Sequence, residues 1–109
     1  MDAINVTPEK WRRDKNYPIR ILIDNGSYSI VWGKFKDTRC LGVRWNGDDA
    51  VGYPSQGSNP TWYVEPDFIA IGILHNLHSL AIADRTNDYN IDDILFAISE
   101  LSDKMTKSQ

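Results

Sequence analysis

Among the side chains able to do chemistry, His75 and His78 come first. They stand three residues apart in Thr61 to Ala83, a stretch that reads as a short strand followed by a helix. That spacing puts two imidazoles on neighbouring positions of a helix surface, close enough to share a metal ion. A catalytic zinc needs at least a third protein ligand. Only Cys40 or a carboxylate such as Asp84 could supply one, and no HExxH pattern accompanies the pair. The two are therefore expected to be ordinary helix histidines, with no metal site and no cofactor.

Nucleophilic chemistry has less support. Ser27, Ser55, Ser58 and Ser79 stand in no GxSxG setting, and neither histidine has an orienting carboxylate by spacing. Asp48-Asp49 could pair for acid–base work, but Asn46-Gly47-Asp48-Asp49 is first a turn composition. Gly52 and Gly57 belong to no GxxxxGK[ST] phosphate loop. With no catalytic set legible, the expectation is a binding protein rather than an enzyme.

Three places could bind. Phe96 falls amid Asp92, Asp93, Glu100 and Asp103, off the apolar stripe of the last helix, as an anchor for a protein partner would. The turn-rich run from Asn46 to Pro60 is flanked by Arg44-Trp45 and Trp62-Tyr63. An Arg for an anion and rings for an apolar body make Arg44, Trp45, Tyr53, Trp62 and His75 a candidate small-ligand or enzymatic site beneath it. Tyr28, Trp32 and Trp45 with Arg20 and Arg44 could stack single-stranded nucleic acid on the sheet. Overall acidity argues against that third reading, because phosphate neutralisation supplies most such affinity.

The elements that must position these residues follow from pattern. A chain of 109 residues, 41% hydrophobic and 25% charged, fits one soluble domain over residues 1–109. Residues 1–17 carry no clear period, although Thr7-Pro8-Glu9 looks like a helix start, with Thr7 as N-cap and Pro8 at the first position. Trp11 there, ringed by Lys10, Arg12, Arg13 and Lys15, is expected to lie on the sheet as a lid. Ile19, Ile21 and Ile23 alternate as one face of a strand, and Asn25-Gly26 predicts a type I′ hairpin into Tyr28 to Phe35. A second turn leads to Cys40 to Trp45. Gly33 and Gly42 fall in adjacent strands, where a bulge or something packed close to the backbone is expected.

Residues 46–60 form the one long loop. After the strand at Trp62, Pro66 and Asp67 start a helix whose apolar arc, Ile69, Ile73, Leu74, Leu77, Leu80 and Ala81, is extended by Phe68, Ile71 and Ile82. Such a helix is expected to be central, covered by the last helix or by a second subunit in a homodimer. Asn90 is a plausible N-cap for a final helix with Ile91, Ile94, Leu95, Ile98, Leu101 and Met105 on its core side. Strands first and helices after predict an α+β fold: an antiparallel meander of three or four strands with two helices on one face.

Charge is uneven along the chain. Met1 to Arg44 holds nine Lys/Arg against five Asp/Glu, a net +4, while Trp45 to Gln109 holds three against ten, a net −7. That asymmetry suits a basic partner on the acidic side. No apolar run reaches the roughly 18 residues of a membrane span, and no signal-peptide core precedes the first elements. With the lone Cys40, a cytoplasmic location and no membrane contact are expected.

The run Leu41 to Gly47, then Gly52-Tyr53-Pro54 and Pro60 to Val64, followed by a helix beginning at Pro66, resembles small uncharacterised bacterial proteins carried on mobile elements such as integron gene cassettes. The resemblance covers the middle third of the chain. It implies an accessory role and carries no activity or catalytic set with it. The expected protein is thus a small non-enzymatic binding protein, dimeric, contacting a protein partner through the acidic last helix or the 46–60 loop.

Overall fold

The computed structural model describes residues 1–48, 50–83 and 87–107. Two single turns of 3-10 helix, Ala3–Asn5 and Glu9–Trp11, lead into strands β1 (Arg20–Asp24), β2 (Tyr28–Phe35) and β3 (Thr38–Trp45). A small hairpin of β4 (Ser55–Gln56) and β5 (Asn59–Pro60) follows, then strand β6 (Tyr63–Glu65) and helices α1 (Asp67–Ala83) and α2 (Ile91–Lys107). The main sheet is antiparallel in the order β1-β2-β3-β6. This is the expected α+β arrangement, a meander followed by two helices.

Strand alternation sends side chains to two different covers. Ile30, Trp32, Leu41 and Val43 meet α1 and α2 in one core that includes Leu74, Leu77, Ile94 and Leu101. Val31 and Cys40 meet the N-terminal segment in a second core with Ala3, Val6, Trp11 and Trp62. The sheet is therefore covered on both faces. Single-strand stacking on it loses its platform, because Trp32 and Arg44 are both buried.

One expectation about β1 fails for a local reason. Ile21 pairs with Val31 but Ile23 pairs with Ile30, so a bulge at Leu22 breaks the alternation. Ile23 is thereby carried to the helix side, while Ile19 and Ile21 stay with Trp11. The following turn also departs from type I′. Gly26 alone has positive φ, and Asn25 instead uses its side-chain oxygen to accept from the Ser27 and Tyr28 amides, both at 2.9 Å.

The N-terminal segment is a lid held by shape. Trp11 is buried over the two strand glycines: a Cβ on Gly42 would lie 2.9 Å from its Cη2, and one on Gly33 would lie 3.2 Å from its Cε3. The bare backbone lets an indole lie flat on the sheet, which is why glycine stands at both positions. Pro8, not Thr7, occupies the cap position of the short turn that delivers Trp11. The Trp62 indole N–H donates to the Val6 carbonyl at 2.9 Å and closes the lid from the other side.

Both helices differ from their expected orientation. Pro66 sits just outside α1, its carbonyl accepting from the Ile69 and Ala70 amides. Along α1 only Ala70, Leu74 and Leu77 are buried, while Phe68 is 75% and Ile82 65% exposed, so this helix is not enclosed within the monomer. On α2 the buried residues are Ile94, Ala97 and Leu101, with Ile91 and Leu95 exposed. The helix is rolled toward its Phe96 side relative to the stripe that periodicity predicts. Asn90 contributes to that placement, because its side-chain amide donates to the Ile21 carbonyl at 2.7 Å and its backbone N–H to that of Leu22 at 2.9 Å. Asp84, considered above as a metal ligand, and Asp49, considered for acid–base work, lie outside the described residues.

Candidate interaction surface

The 46–60 loop is built around Arg44. Alternation points this side chain away from the helices, and it is 1% exposed. Its Nη1 donates to the Thr61 carbonyl at 2.7 Å and to the Pro54 carbonyl at 3.4 Å, and Nη2 donates to the Val51 carbonyl. Its Nε is buried with no partner among the described residues, and burial lowers its pKa. A guanidinium presents fixed donors in a fork, which suits it to gather several carbonyls. Arg44 is thus occupied as the internal clamp of the loop, and the expected anion subsite is filled by the chain's own backbone.

A second anchor lies at the loop's first foot. Asn46 is buried. Its side-chain oxygen accepts from the Ser29 hydroxyl at 2.6 Å, its amide donates to Asp24 at 2.9 Å, and its backbone N–H donates to the Ser27 carbonyl at 2.8 Å. Burial works against the Asp24 charge, yet the Ala3 and Gly26 amides and the Asn46 side chain outweigh it and hold the carboxyl below its ordinary pKa. The loop that reads as unstructured is therefore pinned at both ends and contains the β4–β5 hairpin.

These anchors present a row of aromatic rings. Tyr28 pairs with Trp45 across β2 and β3, and Trp45 forms an isolated bridge with Tyr53, exchanging backbone bonds of 2.7 and 3.0 Å. Tyr63 on β6 lies opposite Val43, one row along on the same face. The Tyr28 and Trp45 rings meet edge to face, with centroids 4.6 Å apart. Trp45, Tyr53 and Tyr63 are 58%, 70% and 55% exposed. Large rings held on a paired backbone and left in water are the side chains that anchor protein interfaces.

The five residues expected beneath the loop do not converge. Arg44 and Trp62 turn to the N-terminal side, Trp45 and Tyr53 project outward in the aromatic row, and His75 is exposed on α1. Of the five, only Trp62 lines a described groove, one of about 330 Å³ shared with Lys10, Trp11, Phe35 and Thr61. Another, of about 380 Å³, runs between the N-terminal segment and β1, past Ile4, Arg12, Lys15 and Ile19. Among the described residues no group of three His, Cys, Asp or Glu is placed to hold a metal.

The α2 candidates are engaged inside the molecule. Phe96 is half-buried, with the Arg20 guanidinium 3.7 Å from its ring centroid and Tyr17 at 6.0 Å. Arg20 also pairs with Asp93 at 2.9 Å, and Arg39 bridges Glu100 at 3.5 Å and Asp103 at 3.2 Å. Tyr17 donates its hydroxyl to Glu100 and accepts from the Trp32 indole at 2.8 Å. Burial first, and then Glu100, push the Tyr17 phenol well above its ordinary range. Of the residues expected on an exposed acidic face, Asp92 is the one that remains in the open.

Tyr63, read from the sequence as flanking the loop, is not among the candidate site residues drawn from it. Its signal was available: a Tyr two residues before a Glu in a short strand that must pair beside Val43. No family model matches the chain, and neither a curated protein nor a solved structure matches it.

Proposed function

We propose that this chain is a non-enzymatic binding protein that contacts a protein partner through the feet of its 46–60 loop, with Trp45, Tyr53 and Tyr63 as anchors. The observation that carries this reading is the combination of exposed rings with a backbone already fixed by Arg44 and Asn46. An interface ordered before binding loses less entropy on association, and ring side chains with few torsions lose less still. The acidic face of α2 is the weaker candidate, since Asp93, Glu100 and Asp103 are already paired within the chain. Capture of protein partners by the wild type and by Trp45→Ala/Tyr53→Ala tests the reading. Loss of capture by a variant with an unchanged melting curve is expected, and equal capture would sink it.

A second reading has its own observation. Phe68, Ile69, Leu80 and Ile82 leave α1 with an apolar face in water, which suits a homodimer. Sedimentation of Phe68→Asp/Ile82→Asp against the wild type decides it, and an unchanged mass for both would remove the dimer. Among the described residues no helix is long and apolar enough to cross a membrane. We place the protein in the cytoplasm on the strength of its free Cys40, a buried thiol whose pKa burial raises to about 11.

A further inference from the structure

We infer that the aromatic row takes cationic side chains, arginine above all, from a basic segment of the partner; this rests on the docking reading above and adds the partner's chemistry to it. Four rings elsewhere in the molecule already hold a cation of the same chain. Arg20 lies over Phe96 at 3.7 Å, Lys34 over Tyr17 at 5.0 Å, Lys36 over Phe35 at 5.7 Å and Arg44 over Trp62 at 5.8 Å. Tyr28, Trp45, Tyr53 and Tyr63 hold none among the described residues, although three of them are more than half exposed; Phe68 on α1, still more exposed, also holds none but stands apart from the row. The π-face of an exposed Trp or Tyr attracts a guanidinium or ammonium, Trp most strongly.

The surrounding charge has the same sign preference. Beyond Trp45 the described cations, Lys104 and Lys107, are on α2, paired with Asp67 at 3.0 Å and Asp103 at 3.3 Å, and the Met1 ammonium, which reaches the loop's first foot, is occupied by the Asn46 carbonyl. Glu65, on the strand that carries Tyr63, and Asp48, in the loop beside Trp45, form no described ion pair. Glu65 lies opposite Leu41 as Tyr63 lies opposite Val43, which puts both side chains on one face of β6, and its charge adds to burial, the larger cause, in raising the Tyr28 pKa. Rings without a described cation, with carboxylates in no described ion pair on the same strand and in the adjoining loop, complement a basic surface both in contact and in long-range steering. A hydrophobic or acidic partner would leave those carboxylates unpaired or opposed.

The test uses the full chain and a short acetylated, amidated peptide alternating arginine with glycine, set against the same peptide with citrulline, which keeps the shape and removes the charge. The readout is the backbone amide fingerprint in two-dimensional NMR spectra, which every variant retains, with the Trp45 indole N–H as an added signal in chains that keep Trp45. The arginine peptide is expected to shift these signals saturably, about tenfold more tightly than the citrulline peptide, with several-fold weakening in Glu65→Gln and in raised salt. Trp45→Ala is expected to abolish binding, with Trp45→Phe restoring part of it as a control for folding. Equal binding of both peptides would overturn the cation inference and leave the docking reading standing. Absence of binding by either peptide would overturn it too, with the docking reading then decided by the capture experiment. Arginine binding that survives Trp45→Ala would put the cation elsewhere and remove the row from both readings.

Discussion

The Phe96 cluster and the Trp45 row are made of the same materials, yet one is closed and the other open. Around Phe96, the charges and rings other than Asp92 find their complements within the chain: Arg20 covers the ring and pairs with Asp93, and Tyr17 joins Trp32 to Glu100. Around Trp45, the backbone is equally fixed but the rings end in water and Glu65 forms no ion pair among the described residues. Aromatic and acidic residues together therefore do not mark a binding site. What marks one is the absence of an internal complement at a place the fold has made rigid.

The contrast predicts opposite responses to the same kind of truncation. Phe96→Ala removes a half-buried ring and the seat of Arg20, and is expected to cost about 2 kcal/mol of stability in a urea melt. Partner affinity per folded molecule should not change. Trp45→Ala is expected to leave stability within about 0.5 kcal/mol, because the exposed ring contributes little to the fold. It should weaken partner binding by about 2 kcal/mol or more, the range of a central anchor. If Phe96→Ala abolishes binding in a protein that still melts cooperatively, the open and closed assignments are reversed.

A smaller effect separates the two regions by pH. The Tyr17 phenol has a raised pKa in the folded state, from burial first and from Glu100 second. A group whose folded pKa lies above its unfolded one stabilises fully below the unfolded value, and that contribution declines as pH rises toward the folded value. The loss should therefore set in above about pH 10, the ordinary value for tyrosine. Stability measured by urea melts across the alkaline range should fall more steeply in the wild type than in Tyr17→Phe. Parallel slopes would show that Tyr17 is not held between Trp32 and Glu100 in solution.

Sequence reading reaches the fold because local pattern and packing agree along most of the chain. The order of strands and helices and Trp11 as a lid follow from alternation and residue size, whereas the two strand glycines signal a bulge or a close approach without saying that Trp11 is what approaches. It misplaces Ile23 because a bulge is a single unpaired residue with no periodic signature. It assigns Phe96 to an open face because the roll of α2 depends on Arg20, Tyr17 and Asn90, which come from or reach to distant parts of the chain. Arg44 misleads for a related reason. An arginine beside a turn-rich loop looks the same in sequence whether it waits for an anion or gathers carbonyls of its own chain. Trp45 and Tyr63 were legible as loop-foot aromatics and Tyr53 as a residue of the loop, but their pairing into one row with Tyr28 is a matter of register.

Two carboxylates offer the finest comparison. Asp93 is paired with Arg20 at 2.9 Å and both side chains are about one-third exposed, whereas Glu65 has no described ion pair. An ion pair of that exposure is worth less than about 1 kcal/mol, part of which added salt screens away. Asp93→Asn should lower the urea midpoint slightly at low salt, and the difference should shrink as salt is raised. Glu65→Gln should leave the midpoint unchanged at either salt concentration, because no internal cation loses its counter-charge. Equal, salt-sensitive destabilisation by both variants would mean that Glu65 has an internal partner in solution, and the carboxylate beside the aromatic row would then be closed like those of α2.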